Sequence, residues 1–187
     1  MANAQSSTAT SVATWQIDPA HTGVEFAVKH MMISTVKGRF THVSGTIRLD
    51  ESNPARSSVE ATIDATSIDT RVEQRDAHLR SADFLDADRF PSITFRSTRV
   101  VPRGEGRAEV TGDLVIHGVT RQITLEVEEQ GRLKDPYGND RVGFSATGKL
   151  DRRDFGLTWN QTLEAGGLLV GNEVRISIEV EATRSAS

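Results

Sequence analysis

Apolar and polar residues alternate over most of this chain, and a period of two predicts strands with one buried face. The first runs are Trp15 and Ile17; Val24, Phe26 and Val28; Val43, Gly45, Ile47 and Leu49; and Val59, Ala61, Ile63 and Ala65. Turn-forming pairs such as Asp18-Pro19 and Asn53-Pro54 separate them. After an interruption the alternation resumes at Ile93 and Phe95, then in Ala108 to Ile116, Val119 to Val127, Val142 to Ala146, Phe155 to Trp159 and Val174 to Val180. Short turns and the absence of interleaved helices predict eight to ten antiparallel strands in an all-β sandwich or barrel, against a parallel βαβ sheet.

One turn fixes a register. Ile116-His117-Gly118-Val119 reads as a two-residue hairpin loop, in which Gly118 supplies the positive φ such turns need. Facing residues then sum to a constant, so Ile116 meets Val119, Gly112 meets Ile123, Val110 meets Leu125 and Ala108 meets Val127. The same register sets Leu114 opposite Arg121 and so places one arginine on the apolar face near one end.

The interruption between Asp69 and Pro91 predicts one short helical insert around residues 70–82. Thr70 and Glu73 have capping-box spacing, Val72 and Leu79 share a face, and Arg71, Arg75 and Asp76 are expected to face water. Such an insert, followed by Phe84 and Leu85, suits the end of a barrel.

Length changes the picture little: 187 residues make one domain, expected over 14–182 between a polar tail at 1–13 and a short one at 183–187. A formal charge of -4 without a basic stripe argues against nucleic acid as a partner. No apolar run approaches the ~20 residues of a membrane-spanning helix. Met1 to Ala13 has neither the basic start nor the apolar stretch of a secretory signal, so the expected location is the cytoplasm, or the periplasm or exterior if a signal has been removed. With no cysteine, neither a disulfide nor a thiolate metal site is possible.

Chemistry leaves few marks. The five histidines, at 21, 30, 42, 78 and 117, lack the paired spacing of a metal site, and no metal or cofactor is expected. Asp83, Asp86, Asp88, Asp151 and Asp154 all sit at turns, where such side chains bond nearby backbone. No nucleophile motif occurs, and Gly166, Gly167 and Gly171 lack the residues that complete a phosphate loop. Arg152 reads as an ion-pair partner at a turn, and Asn160-Gln161-Thr162 as a chance sequon.

Five ordered blocks resemble the YceI-like, or polyisoprenoid-binding, family. They are Trp15 through His30; His78 through Asp86, running on to Phe90–Phe95; Gly112 through Arg121; Asp151 through Leu157; and Val170 through Val174. The resemblance spans nearly all of residues 14–181. It implies a single lipocalin-like antiparallel barrel of about eight strands, extended into a tube that holds an isoprenoid or similar long-chain amphiphile. Several members carry a secretion signal, from which residues 1–13 depart; a homodimer is suggested by resemblance only.

The inward set would then form the ligand-binding wall. It comprises Val24, Phe26, Val28 and His30; Phe40, Ile47 and Ile63; Leu79 and Phe84; Ile93 and Phe95; Leu114, Ile116 and Ile123; and Phe144, Phe155, Leu157 and Trp159. Arg121 is the expected head-group contact at a mouth, because an unpaired arginine in hydrocarbon would cost several kcal/mol. The expected function is non-catalytic binding and carriage or sequestration of a polyprenyl phosphate, quinone or similar lipid. Two alternatives stand beside it: an enzyme acting on such a lipid through His30 and Asp83 to Asp88, and a stress-related structural or interaction protein with a filled barrel.

Overall fold

The computed structural model describes residues 12–186. Its strands are β1 Val12–Ile17, β2 Gly23–His30, β3 Ser34–Phe40, β4 Val43–Asp50, β5 Ser58–Asp64, β6 Ile68–Asp69, β7 Ser92–Pro102, β8 Arg107–Ile116, β9 Val119–Lys134, β10 Asp140–Asp151 and β11 Val170–Arg184, with helix α1 at Glu73–Arg80. They form one antiparallel sheet in the order β1-β4-β5-β7-β8-β9-β10-β11, closed by pairing of β1 with β11. Closure leaves this ring without an edge strand, although single strands can outrun their neighbours at its ends.

Three of the tube's walls are long strands broken once. β2 pairs with the first part of β11, from Val170 to Glu179, while β1 pairs with its end, from Ala182 to Arg184. The two therefore follow each other along one edge, interrupted at Asp18-Pro19. Proline has no N–H to give a ladder, and the Asp18 carboxylate instead accepts from Ala20 N at 2.9 Å. β3 and β4 are broken likewise at Thr41-His42, and β5 and β6 at Ala65–Ser67. Counting each broken pair once gives a closed barrel of eight strands.

Two bulges decide which side chains face inward. In β7 the partner of Ser97 is Gly112 and that of Arg99 is Thr111, so Thr98 is unpaired and the inward set changes from Ile93 and Phe95 to Val100 and Pro102. In β9 Gln130 is the extra residue, and the inward set passes from Ile123, Leu125, Val127 and Glu129 to Arg132. Each bulge thus extends a wall past the point where a strict period of two would have turned it outward.

The β8–β9 register is the one expected from the Ile116-His117-Gly118-Val119 turn, with φ of 54° at His117 and 71° at Gly118. Gly112, opposite Ile123, has a second role. An added Cβ would lie 2.5 Å from the Arg96 carbonyl oxygen and 2.6 Å from Phe95 Cζ, so the glycine lets the ring lie flat on the wall. Gly38 does the same beneath Phe26. Gly112→Ala is expected to cost about 1–3 kcal/mol, because a backbone carbonyl cannot step aside. Urea denaturation should show it as a lower midpoint with unchanged slope.

Several local expectations are corrected. The helix begins at Glu73 with Val72 as its N-cap and no side-chain cap; Thr70 instead gives both its N–H and its hydroxyl to Asp76 Oδ1, at 2.8 and 2.5 Å. That pulls Asp76 inward, where it is 7% exposed, and turns Val72 out to water, the reverse of the amphipathic reading. Phe155 to Trp159 is not a strand: Arg152–Phe155 forms a 3-10 turn ended by Gly156 at φ 75°. β1 starts at Val12 and β11 ends at Arg184, so each reaches two residues into an expected tail, whereas the polar tail expected over residues 1–11 lies outside the described residues.

Candidate functional site

Strand pairing stacks inward side chains into an apolar wall around a cavity of about 850 Å³, which is lined by residues from both ends of the tube. β11 contributes Val174, Ile176, Ile178 and Val180, and the wall opposite contributes Ile93, Phe95, Val110 and Leu114. At this size the interior falls within the ~300–1,000 Å³ of ligand pockets. Small residues keep it open: Ala61, Ala108 and Ala146 line it between the larger rings.

All of the expected wall residues line this cavity except Arg121 and Phe155. His30, Leu79, Phe84 and Trp159 stand at the α1 end, and Ile47 and Phe144 lie beyond the middle. Arg121 is exposed and donates from Nη1 to its neighbour's carbonyl, Thr120 O, at 2.8 Å. β10 pairs with β9 only as far as Glu126, so at position 121 one edge of β9 is open and the long side chain reaches water. Phe155 is 1% exposed, belongs to the 3-10 turn and packs in the same buried cluster as Leu114, Ile116 and Leu157 without lining the cavity.

The α1 end is built by contacts between distant segments. The His78 ring meets Trp159 edge-on at 4.7 Å and Phe84 at 5.1 Å, and its Nε2 lies 2.8 Å from Asp83 Oδ2. Arg152, read from sequence as an ion-pair partner, is 4% exposed and bonds backbone instead. Its Nε donates to Gly171 O at 2.8 Å, its Nη1 to Leu157 O at 2.7 Å and Trp159 O at 2.9 Å, and its Nη2 to Val170 O at 3.4 Å. Burial lowers its pKa from the ordinary value. Asn160 completes the seam, with Nδ2 donating to Val170 O and Oδ1 accepting from Val170 N.

The opposite end carries paired charges. Arg132 donates to both oxygens of Glu129 at 2.7 and 3.1 Å and to Glu51 at 2.5 Å, and its guanidinium lies 5.9 Å from the Trp15 ring. Sequence reasoning missed Arg132 and Glu129 because the bulge at Gln130 leaves no apolar mark. It also missed Arg75, which lines the cavity and had been expected to face water.

Outside the barrel, Asp18, His21 and Glu181 could offer three ligand atoms to a metal. Arg141 supplies the cation there, donating from Nη1 to Asp18 at 2.8 Å and to Glu181 at 2.5 Å. The hydrogen bond to His21, then that to Arg141, holds Asp18 at about 2; the Arg153 side chain holds Asp151 at about 2. Depressed carboxylates contribute stability above their unfolded value, near 3.8, and lose it as pH falls through about 2. The melting temperature is therefore expected to fall steeply across that window, and Asp18→Asn to flatten the slope.

These features define an antiparallel β-barrel of the lipocalin-like kind, closed around an apolar cavity. The chain belongs to the YceI-like domain family, whose model matches residues 15–182. It is similar to a UPF0312 protein of Vibrio parahaemolyticus, 46% identical over 136 residues that cover 73% of this chain and 72% of that one. Burkholderia cenocepacia BcnA has a similar structure, with a TM-score of 0.78 at 25% identity over 89% of this chain and 99% of that one. A polyisoprenoid binding domain from Saccharophagus degradans shares the fold, at a TM-score of 0.66 and 16% identity over 93% of this chain and 99% of that one. No helix among the described residues is long and apolar enough to cross a membrane.

Proposed function

We propose that this protein binds and carries, or sequesters, a long-chain isoprenoid-like lipid in its cavity and performs no chemistry on it. The observation that carries this reading is the cavity itself, about 850 Å³ walled by Val, Ile, Leu, Phe and Ala from the whole length of the tube. Burying a CH₂ is worth ~0.8 kcal/mol, so each five-carbon prenyl unit contributes roughly 4 kcal/mol before ordering costs are subtracted. An apolar tail then dominates the affinity. A filled barrel, the structural alternative, is at odds with this volume.

For an enzyme, the best pair at the α1 end is His78 and Asp83, and no hydroxyl among the described residues bonds the His78 ring. That favours carriage over turnover. The test is native mass spectrometry and organic extraction of protein purified from cells. A stoichiometric long-chain lipid is the expected result; an empty protein that takes up neither prenyl alcohols nor quinones would overturn the proposal.

A further inference from the structure

The two ends of the cavity differ in how their charges are satisfied. At the end away from α1, Arg132 is bonded to Glu129 and Glu51, and Arg107 meets Glu128 at 3.4 Å. At the α1 end the lining includes His30, Arg75 and His78. Of the carboxylates that line the cavity, Asp50, Glu51 and Glu129 belong to the opposite end, and Glu25 lies five residues down β2 from His30. Asp83 is committed to His78.

Arg75 is the informative cation. Its Nε donates to Thr70 Oγ1 at 2.8 Å and its Nη2 to Thr70 O at 3.0 Å, so the guanidinium is held on two sides by neutral acceptors. Thr70 is itself buried and locked by both of its bonds to Asp76. Among the described residues no carboxylate lies within ion-pair distance of Arg75, and its Nη1 has no hydrogen-bond partner. A half-buried guanidinium, fixed in place beside an apolar space and joined to the Asp76 carboxylate only through the Thr70 hydroxyl, with none in direct contact, is suited to an anion that enters with the ligand.

We propose that the α1 end takes an anionic head group, a phosphate or carboxylate borne on an apolar chain, and that Arg75 contacts it with His30 alongside. This rests on the carrier reading above and deepens it, since it selects prenyl phosphates or fatty acids over neutral quinones and alcohols.

The test is calorimetric titration of the full-length protein, stripped of lipid, with geranylgeranyl phosphate, geranylgeraniol, palmitate and inorganic phosphate. Geranylgeranyl phosphate is expected to bind about tenfold to hundredfold tighter than the alcohol, with a margin that shrinks in salt. Arg75→Gln should erase the margin, and Arg75→Lys should restore part of it. Whichever of the prenyl phosphate and palmitate binds tighter than the alcohol identifies the anion. Equal affinity of the wild-type protein for phosphate and alcohol overturns the anionic assignment while the carrier reading stands, and needs no variant to fold. Failure of all the chain-bearing ligands to bind, or inorganic phosphate binding as tightly as its prenyl ester, overturns both.

Discussion

Ala146→Phe is expected to abolish lipid binding while leaving the fold intact. Ala146 sits midway along β10, paired with Val127 on one side and Ile178 on the other, and all three line the cavity. A phenyl ring there projects into open volume instead of into packed neighbours, so the overpacking penalty usual for a core is avoided. It also blocks the path of a chain. Excluding a single prenyl unit removes roughly 4 kcal/mol of burial, and we expect an affinity loss of at least about a hundredfold for a twenty-carbon ligand. Titration and thermal melting together check this, with Ala182→Phe as the contrast. Ala182 is fully buried in the solid cluster of Trp15, Ile47 and Val142, and enlarging it should lower stability by about 1–3 kcal/mol.

The second large effect is on stability. Arg152→Ala strands three backbone carbonyls that the guanidinium now satisfies, those of Leu157, Trp159 and Gly171, and leaves that of Val170 to Asn160 alone. Removing one side of so buried a polar arrangement costs about 3–5 kcal/mol. Because Leu157 and Trp159 are part of the cavity wall, lipid binding should weaken with it. Arg152→Lys should rescue little, since a single ammonium cannot span acceptors on both sides of the segment. Urea denaturation gives the first quantity. Hydrogen exchange should show residues 156–171 opening far more readily than in the wild type.

How much of this could be read from the sequence depended on whether a residue's role was local. The β8–β9 pairing followed from one turn, because His117-Gly118 fixes the register of every residue after it. Most of the wall followed from period two. β3 was missed because its inward set, Val36, Gly38 and Phe40, is broken by a glycine whose purpose is to seat the Phe26 ring, a contact with another strand. The parity changes at Thr98 and Gln130 were equally hidden, since an unpaired residue in a bulge is defined by its partner strand.

Charged residues were the least legible. Arg121 has the right parity but lies where β9 has no partner on its β10 side, so it reaches solvent, whereas Arg75 has a surface-like sequence context and is drawn to the cavity by Thr70. Arg152 reads as one member of the Asp151-Arg152-Arg153-Asp154 charge run. Only the folded chain brings the carbonyls of 157, 159, 170 and 171 around it while Arg153 takes Asp151.

The account stands on an apolar lumen that accepts a chain lengthwise, and a chain-length series measures this directly. Prenyl alcohols of ten, fifteen, twenty and more carbons should bind with affinity rising by roughly ten- to a hundredfold per unit until the tube is full, then level off. Affinity that is independent of chain length would contradict it.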